Sequence, residues 1–459
     1  MTTVVVVGGG IAGLTAAHEL AATGADVTLI DAAPVLGGKL RVSEVGGVAV
    51  DEGAEAFLRR RPEALDLVAE LGLADQLVTP ATLSASVWSR GELRPMPAGT
   101  VMGVPSNPAS LQGVLSTAEV LRARADAWLP GAPPYGDVSV GRWIAKRLGR
   151  AVVDRLVDPM LGGVYAGRAD ELSLAATMPQ LPRDDRSALH AARRALRAAP
   201  AVDEPVFATL PAGLGVLPDA LARSIAMRGG TVITSRTVRR LERTATGWRV
   251  VHGATNDEQA LDADAVVVAV PASPAARLLD GVAPAAAAEL GGIESASMAI
   301  VTTAWRPADA VAAAPGSGYL IPPVYQRPVK AVTLSSAKWA HLSGDVVVAR
   351  CSIGRYGDIS DLQRDDADLV AAAAAELTTY GGFTGSPVEA RVTRWGGGLP
   401  QYAVGHRDRV ARIRASVESV PGLAVCGAAY DGVGVPACIA TARLAVAQVQ
   451  RSLMSRETR

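Results

Sequence analysis

The hydrophobic positions of this chain fall into three textures. Short apolar runs at 4–7, 25–30 and 265–270 predict buried strands, and the last has the unbroken apolar character of a strand covered on both faces. Apolar residues three and four apart predict helices over 14–20, 64–71, 219–227, 365–378 and 439–453. The same spacing fills 108–200, as in Val140, Trp143, Ile144 and Leu148, and ends in an Arg-rich helix over 186–197. A third texture, of short or alternating strands, covers 81–104 with a turn at Arg90-Gly91, then 231–233, 238–243, 248–252, 298–305, 329–334, 346–353, 391–395 and 423–427. The expected fold class is α/β, with a second, α+β part and a helical insertion.

The first strand runs into Gly8-Gly9-Gly10-Ile11-Ala12-Gly13. Gly8 permits a tight turn, Gly10 lets the backbone approach phosphates, and Gly13 lets the following helix pack on the strand. The amides at that helix start suit a pyrophosphate. The second strand ends in Asp31, followed by Ala32, roughly 20 residues past the glycines, where a carboxylate can accept from a ribose. A nicotinamide enzyme would continue with another helix and parallel strand. Here Gly37-Gly38-Lys39 and a hairpin turning at Gly46-Gly47 come next, then Asp51-Glu52-Gly53-Ala54-Glu55-Ala56. This arrangement resembles the second phosphate and ribityl clasp of amine-oxidase-type FAD flavoproteins, and makes the nucleotide-binding part Rossmann-like.

Composition narrows the classes. A length of 459 residues gives room for two or three domains at about 100 to 200 residues each. Basic and acidic residues balance at 45 each, so no net field argues for nucleic acid. Cys351, Cys426 and Cys438 form no C-x-x-C pair, which argues against disulfide-shuttling flavoproteins and structural zinc and for isolated thiols in a reducing cytoplasm. No metal site is expected. The nucleotide motif begins at residue 4, leaving no charged leader, and no run of 18 apolar residues predicts a membrane span. Peripheral contact through the basic helix at 186–197 stays open beside the simpler reading of a wet face.

Arg59, Arg60 and Arg61 precede a helix, where they either face solvent or pair with substrate carboxylates. His18 lies in the first helix, His190 and His252 read as exposed, and His341 and His406 have no evident carboxylate partner. No acid/base catalytic residue is expected.

Several further segments carry a family resemblance over nearly the whole chain. They are Met96-Pro97-Ala98-Gly99 with Met102-Gly103-Val104-Pro105, Asp158-Pro159-Met160-Leu161-Gly162-Gly163-Val164-Tyr165-Ala166-Gly167, Leu172-Ser173-Leu174, Thr393-Arg394-Trp395, Pro400-Gln401-Tyr402 with Val404-Gly405-His406, and Gly432-Val433-Gly434-Val435-Pro436. Together with the glycine motifs they resemble the oxygen-dependent protoporphyrinogen and coproporphyrinogen oxidases of haem biosynthesis, in their Gram-positive branch. That branch is associated with oxidation of coproporphyrinogen III to coproporphyrin III, and the plant, animal and Gram-negative branch with protoporphyrinogen IX. Two departures stand out. Relatives often carry E-R-G where this chain has Asp51-Glu52-Gly53, and an acid where it has Ala437.

The resemblance implies FAD held by Gly8, Gly9, Gly10, Ile11, Ala12, Gly13, Asp31, Ala32, Gly38, Lys39, Gly53, Ala54, Glu55, Ala56, Val238, Trp395, Gly427, Val433, Gly434 and Val435. It implies hydride transfer from the porphyrinogen to flavin N5, with molecular oxygen as the final acceptor and hydrogen peroxide released. Arg59, Arg60, Arg61, Gly163, Tyr165, Lys338 and Arg394 are the candidates to hold the substrate and its propionates. The expected division is 1–56, 205–275 and 390–459 for FAD, 57–107 and 276–389 for substrate, and 108–204 for the helical insertion. Contact with other haem-pathway enzymes is open. Rival readings are a flavin amine oxidase or desaturase, and a binding protein that keeps the fold without catalysis.

Overall fold

The computed structural model describes residues 2–199 and 205–457. Residues 200–204, the last of the expected helical insertion, lie outside the described residues.

Five parallel strands build the first sheet, in the order Thr231–Ile233, Asp26–Ile30, Thr3–Val7, Ala265–Val268, Leu423–Val425. The unbroken apolar runs have a direct cause. Val4, Val6, Val27, Leu29, Val267 and Ala424 face one core, shared with helices Ile11–Ala22, Val216–Met227 and Val435–Glu457. Their neighbours Val5, Val7, Ile30, Val266, Val268 and Leu423 face a second core on the other side. There a three-stranded antiparallel sheet packs with helices Ala272–Leu279, Pro284–Gly291 and His406–Glu418. Sheets covered on both faces need apolar side chains at every position.

A seven-stranded, mostly antiparallel sheet runs Glu389–Pro400, Ser295–Trp305, Val347–Ile353, Val329–Leu334, Gly318–Leu320, Ser86–Ser89, Glu92–Pro95. Helix Asp366–Tyr380 covers one face through Leu369, Ala373 and Leu377. The helical block has its own core, including Trp143, Ile144, Leu156, Leu161 and Tyr165. Helix Ala188–Ala198 buries Ala188, Leu189, Ala191, Ala192 and Ala195 against that block, so its apolar face is already covered.

Three details differ from the sequence reading. Strand Asp257–Ala263 completes the three-stranded sheet, although its Glu258 and Gln259 are polar because that end is exposed. Strand Glu389–Pro400 extends beyond 391–395, through Gly396, Gly397 and Gly398. His252 is buried, not exposed, because it sits on the middle strand opposite Val238.

Candidate active site

The glycine turn is shaped by contacts that forbid side chains at two positions and leave a third open. Gly8 has φ +110°, and a Cβ there would stand 2.7 Å from Ala269 O. A Cβ on Gly13 would lie 1.9 Å from Gly8 O, so the first turn of the helix rests directly on the turn before it. Around Gly10, by contrast, a Cβ would meet nothing within 4 Å. Gly37 N–H donates to Gly9 O at 2.7 Å, and a Cβ on Gly38, at φ +59°, would lie 3.4 Å from Gly10 Cα. Two glycine turns separated in sequence therefore form one open cradle at the start of helix Ile11–Ala22, whose Ile11 and Ala12 are buried beneath it. Backbone amides and the helix dipole favour phosphate in such a place.

Asp31 borders this cradle and also braces it, accepting from Gly9 N–H and, at 2.6 Å, from Ala33 N–H. Ala32 is exposed beside it, and Arg236 N–H donates to Asp31 O at 3.0 Å, bringing Val238 close behind. At the opposite end, Gly427 has φ +126° with open space where a Cβ would be, and its N–H donates to Thr441 Oγ1 at 3.0 Å. Val433 and Gly434 lead into helix Val435–Glu457 next to it. The backbone donors and the open space at Gly10 and Gly427 fit an elongated nucleotide cofactor.

Gly53 is pressed between Lys39 and Trp395. A Cβ on it would lie 2.1 Å from Lys39 O and 3.3 Å from the Trp395 ring. Trp395 Nε1–H donates to Glu52 O at 3.1 Å, and Ala54 N–H donates to Lys39 O at 3.3 Å. Burial pushes the Lys39 ammonium below its ordinary range. Ala54 and Ala56 are half-buried. Glu55 is committed elsewhere: its carboxylate takes Lys338 Nζ at 2.5 Å and Arg350 Nη1 at 2.6 Å. Arg350 Nη2 also donates to Gly53 O at 2.7 Å. Burial alone would raise the Glu55 carboxyl, but the Lys338 and Arg350 charges and hydrogen bonds hold it down at about 2. Glu55 thus bolts the 51–56 segment to the seven-stranded sheet, and Lys338 is its counter-ion rather than an unengaged cation.

The substrate candidates separate into those near the cradle's far end and those held away from it. Tyr165 closes helix Asp158–Tyr165, before Ala166 at φ +49°. Its carbonyl accepts from Gln401 Nε2 at 2.8 Å, and its ring lies 5.5 Å from that of Tyr402. The Tyr402 hydroxyl donates to Ala428 O at 2.5 Å, beside Gly427, and its other face stacks on His406 at 4.0 Å. His406 is buried, its ring nitrogen 2.9 Å from Tyr430 O, and burial lowers its pKa. Gly163 faces Leu320, 3.8 Å from where its Cβ would be.

Arg59 is half-buried and Arg60 exposed, while Arg61 pairs with Glu63 at 2.6 Å. Arg394, a sequence candidate for substrate, is engaged within the fold. It lies on the opposite face of its strand from Trp395 and binds Asp366 at 2.6 Å with the carbonyls of Leu362 and Arg364. Alternation along the strand forces this, since neighbouring residues point to opposite faces.

The three cysteines are buried, and burial pushes every one of their thiols up. Among the described residues no group of three His, Cys, Asp or Glu could hold a metal, and no helix is long and apolar enough to cross a membrane.

Residues 11–450 match the family of flavin containing amine oxidoreductases. Coproporphyrinogen III oxidase of Mycobacterium bovis is 42% identical over 98% of this chain and 97% of its own length. The enzyme of that name from Bacillus subtilis is 31% identical over 98% of each chain. A solved structure from Exiguobacterium sp. 255-15 superposes with a TM-score of 0.86 at 29% identity, covering 99% of both chains. An open glycine cradle at one end, an aromatic wall at the other and this full-length similarity have one reading: the chain is an oxidoreductase of the flavin containing amine oxidoreductase family, in its coproporphyrinogen III oxidase branch.

Proposed function

We propose that this protein binds FAD and uses molecular oxygen to oxidise coproporphyrinogen III to coproporphyrin III. One observation carries the reading: Tyr402, tied to Ala428 beside the open Gly427, packs on Tyr165 of the Gly162-Gly163-Val164-Tyr165 segment. Tyr402 therefore links the Gly427 end of the cradle to the segment most specific to porphyrinogen oxidases. The names of the relatives support the same substrate.

Bound flavin supplies the acceptor for hydride leaving a carbon of the macrocycle. The chain's own residues orient and enclose. Gly8 to Gly13 and Gly38 hold the phosphates, Asp31 and Val238 border the adenosine, and Gly53, Lys39 and Trp395 flank the far end with Val433, Gly434 and Val435. Tyr165 and Tyr402 form an apolar wall, with both phenols kept protonated by burial. Arg59 to Arg61 remain candidates for propionates at the rim. The division into cofactor, substrate and helical parts belongs to this reading, as does a cytoplasmic location, supported by three unpaired buried thiols.

Porphyrinogen loses six electrons and six protons in becoming porphyrin, so three oxygen molecules become three hydrogen peroxides. The test is side-by-side steady-state rates on coproporphyrinogen III and protoporphyrinogen IX under air, with peroxide measured against porphyrin. Preference for the tetracarboxylate at about three peroxides per porphyrin is expected. Turnover of an amine with neither porphyrinogen oxidised would refute it.

A further inference from the structure

Among the described residues several buried cations are paired with carboxylates. Arg147 bonds Asp126 at 2.5 Å, Arg327 meets Glu376 at 3.1 Å, and Lys338 and Arg350 share Glu55. Lys330 and Arg355 stand side by side with no carboxylate within ion-pair distance among the described residues.

Lys330 lies where the register between strands Val329–Leu334 and Val347–Ile353 shifts, with Val329 opposite Ile353 and Ala331 opposite Ser352. Such a bulge re-aims the extra residue's side chain. Lys330 is 2% exposed, and its Nζ donates to Gly354 O at 2.6 Å. The next residue, Arg355, donates from Nη2 to Ile321 O at 2.8 Å, whereas its buried Nη1 has no partner. Burial and the Arg355 charge press the Lys330 ammonium down to about 7. Two adjacent desolvated cations cost several kcal/mol unless an anion compensates them.

Their surroundings point to where that anion enters. Arg355 Nη1 is 2.9 Å from the position a Cβ on Gly162 would take, so the glycine turn of helix Asp158–Tyr165 faces the guanidinium with no side chain between them. Leu320, on the adjoining strand, faces Gly163. Gly354 packs on Ser297 O, and the next residue, Met298, is opposite Trp395 in the sheet. The cation pair is thus at the end of the sheet that carries Trp395, against the turn that carries Tyr165. Asp158 and Asp358 act on Arg355 through space but neither forms an ion pair with it, and the Asp158 carboxylate is engaged by Ala169 N–H at 2.6 Å.

We infer that Lys330 and Arg355 together form a carboxylate-binding subsite at the inner wall of the substrate space, recognising one propionate of the porphyrinogen. This rests on the function proposed above for the identity of the carboxylate. The two residues bind substrate and take no part in electron or proton transfer. The carboxylate adds counter-charge and accepts from Lys330 Nζ and from Arg355 Nη1, which has no hydrogen-bond partner of its own.

The experiment compares Lys330→Met, Arg355→Gln and wild type in titrations with coproporphyrin III and with its uncharged tetramethyl ester, following Soret absorbance. Flavin content and thermal midpoint of each variant report folding, and Arg355→Lys serves as the conservative rescue if either neutral variant is poorly folded. A charged hydrogen bond lost from a buried site predicts about 10- to 100-fold weaker binding of the acid. Ester binding stays within about twofold, since the subsite contributes charge recognition rather than shape. In turnover the loss appears in KM with kcat retained. Equal losses for acid and ester, or no loss for either, would overturn the subsite and leave both residues as sheet fasteners. Failure of wild type to oxidise either porphyrinogen would instead overturn the proposed function.

Discussion

Glu55→Gln tests the bolt between the nucleotide-binding segment and the seven-stranded sheet. The substitution keeps the shape and removes the charge that compensates Lys338 and Arg350. In the folded protein the Glu55 carboxyl is held at about 2, against an ordinary 4.5. At about 1.4 kcal/mol per pH unit, that depression corresponds to about 3 kcal/mol at neutral pH. The independent expectation for breaking a buried pair by removing one partner is about 3 to 5 kcal/mol. Because the folded pKa is depressed, the contribution is fully present above pH 4.5 and is lost as pH falls toward 2. Denaturant unfolding of the flavin-loaded protein would measure it. The gap between wild type and E55Q should be about 3 kcal/mol and flat from pH 8 to pH 5, then narrow below that. Since Arg350 also holds Gly53 O, the variant should lose flavin more readily during gel filtration. A gap under about 1 kcal/mol at pH 7, or one that widens on acidification, would refute the reasoning.

Gly10→Val and Gly13→Ala should part company. The first adds side chain only to open space, at backbone angles any residue adopts, and should fold with an unchanged apoprotein midpoint while losing flavin absorbance. The second drives a methyl into Gly8 O and should fail to accumulate as folded protein. Asp51→Asn should become more stable relative to wild type as pH rises. Burial raises the Asp51 carboxyl from 3.8 to about 7, against the pull of Arg350 and of Leu214 N–H. The wild-type contribution is therefore fully present below pH 4 and lost through pH 7, worth up to about 4 kcal/mol by pH 8 in unfolding measurements. Arg394→Ala should leave kcat and KM unchanged and cost about 1 kcal/mol of stability, because its exposed pairing with Asp366 lies on the far face from Trp395. A rise in KM would return Arg394 to the substrate space.

The local motifs were legible because their chemistry is local. A strand running into Gly8-Gly9-Gly10-Ile11-Ala12-Gly13 needs only neighbouring atoms to make an open helix start, and the apolar runs at 4–7 and 265–270 report coverage on both faces wherever the partners come from. Strand phase is local as well, yet the contact made by each face is not. Arg394 and Trp395 are adjacent in sequence and face different neighbours, one a helix terminus and the other Gly53, and nothing in the tripeptide Thr393-Arg394-Trp395 says which side is which. Charge pairing is less legible still. Lys338 and Arg350 find Glu55 from almost 300 residues away in the chain, an engagement of a candidate substrate cation that no local pattern announces. Lys330 shows the converse: its sequence context is an ordinary strand, and only the bulge, burial and the neighbouring Arg355 make it a buried cation with no ion-pair partner among the described residues. The sequence by itself determined where a cofactor's phosphates can rest and which family the chain resembles, since both reside in contiguous residues. Which charges are spent on the fold and which remain for a ligand was decided by tertiary structure alone, because electrostatic compensation depends on distance through space and on the loss of water around each group.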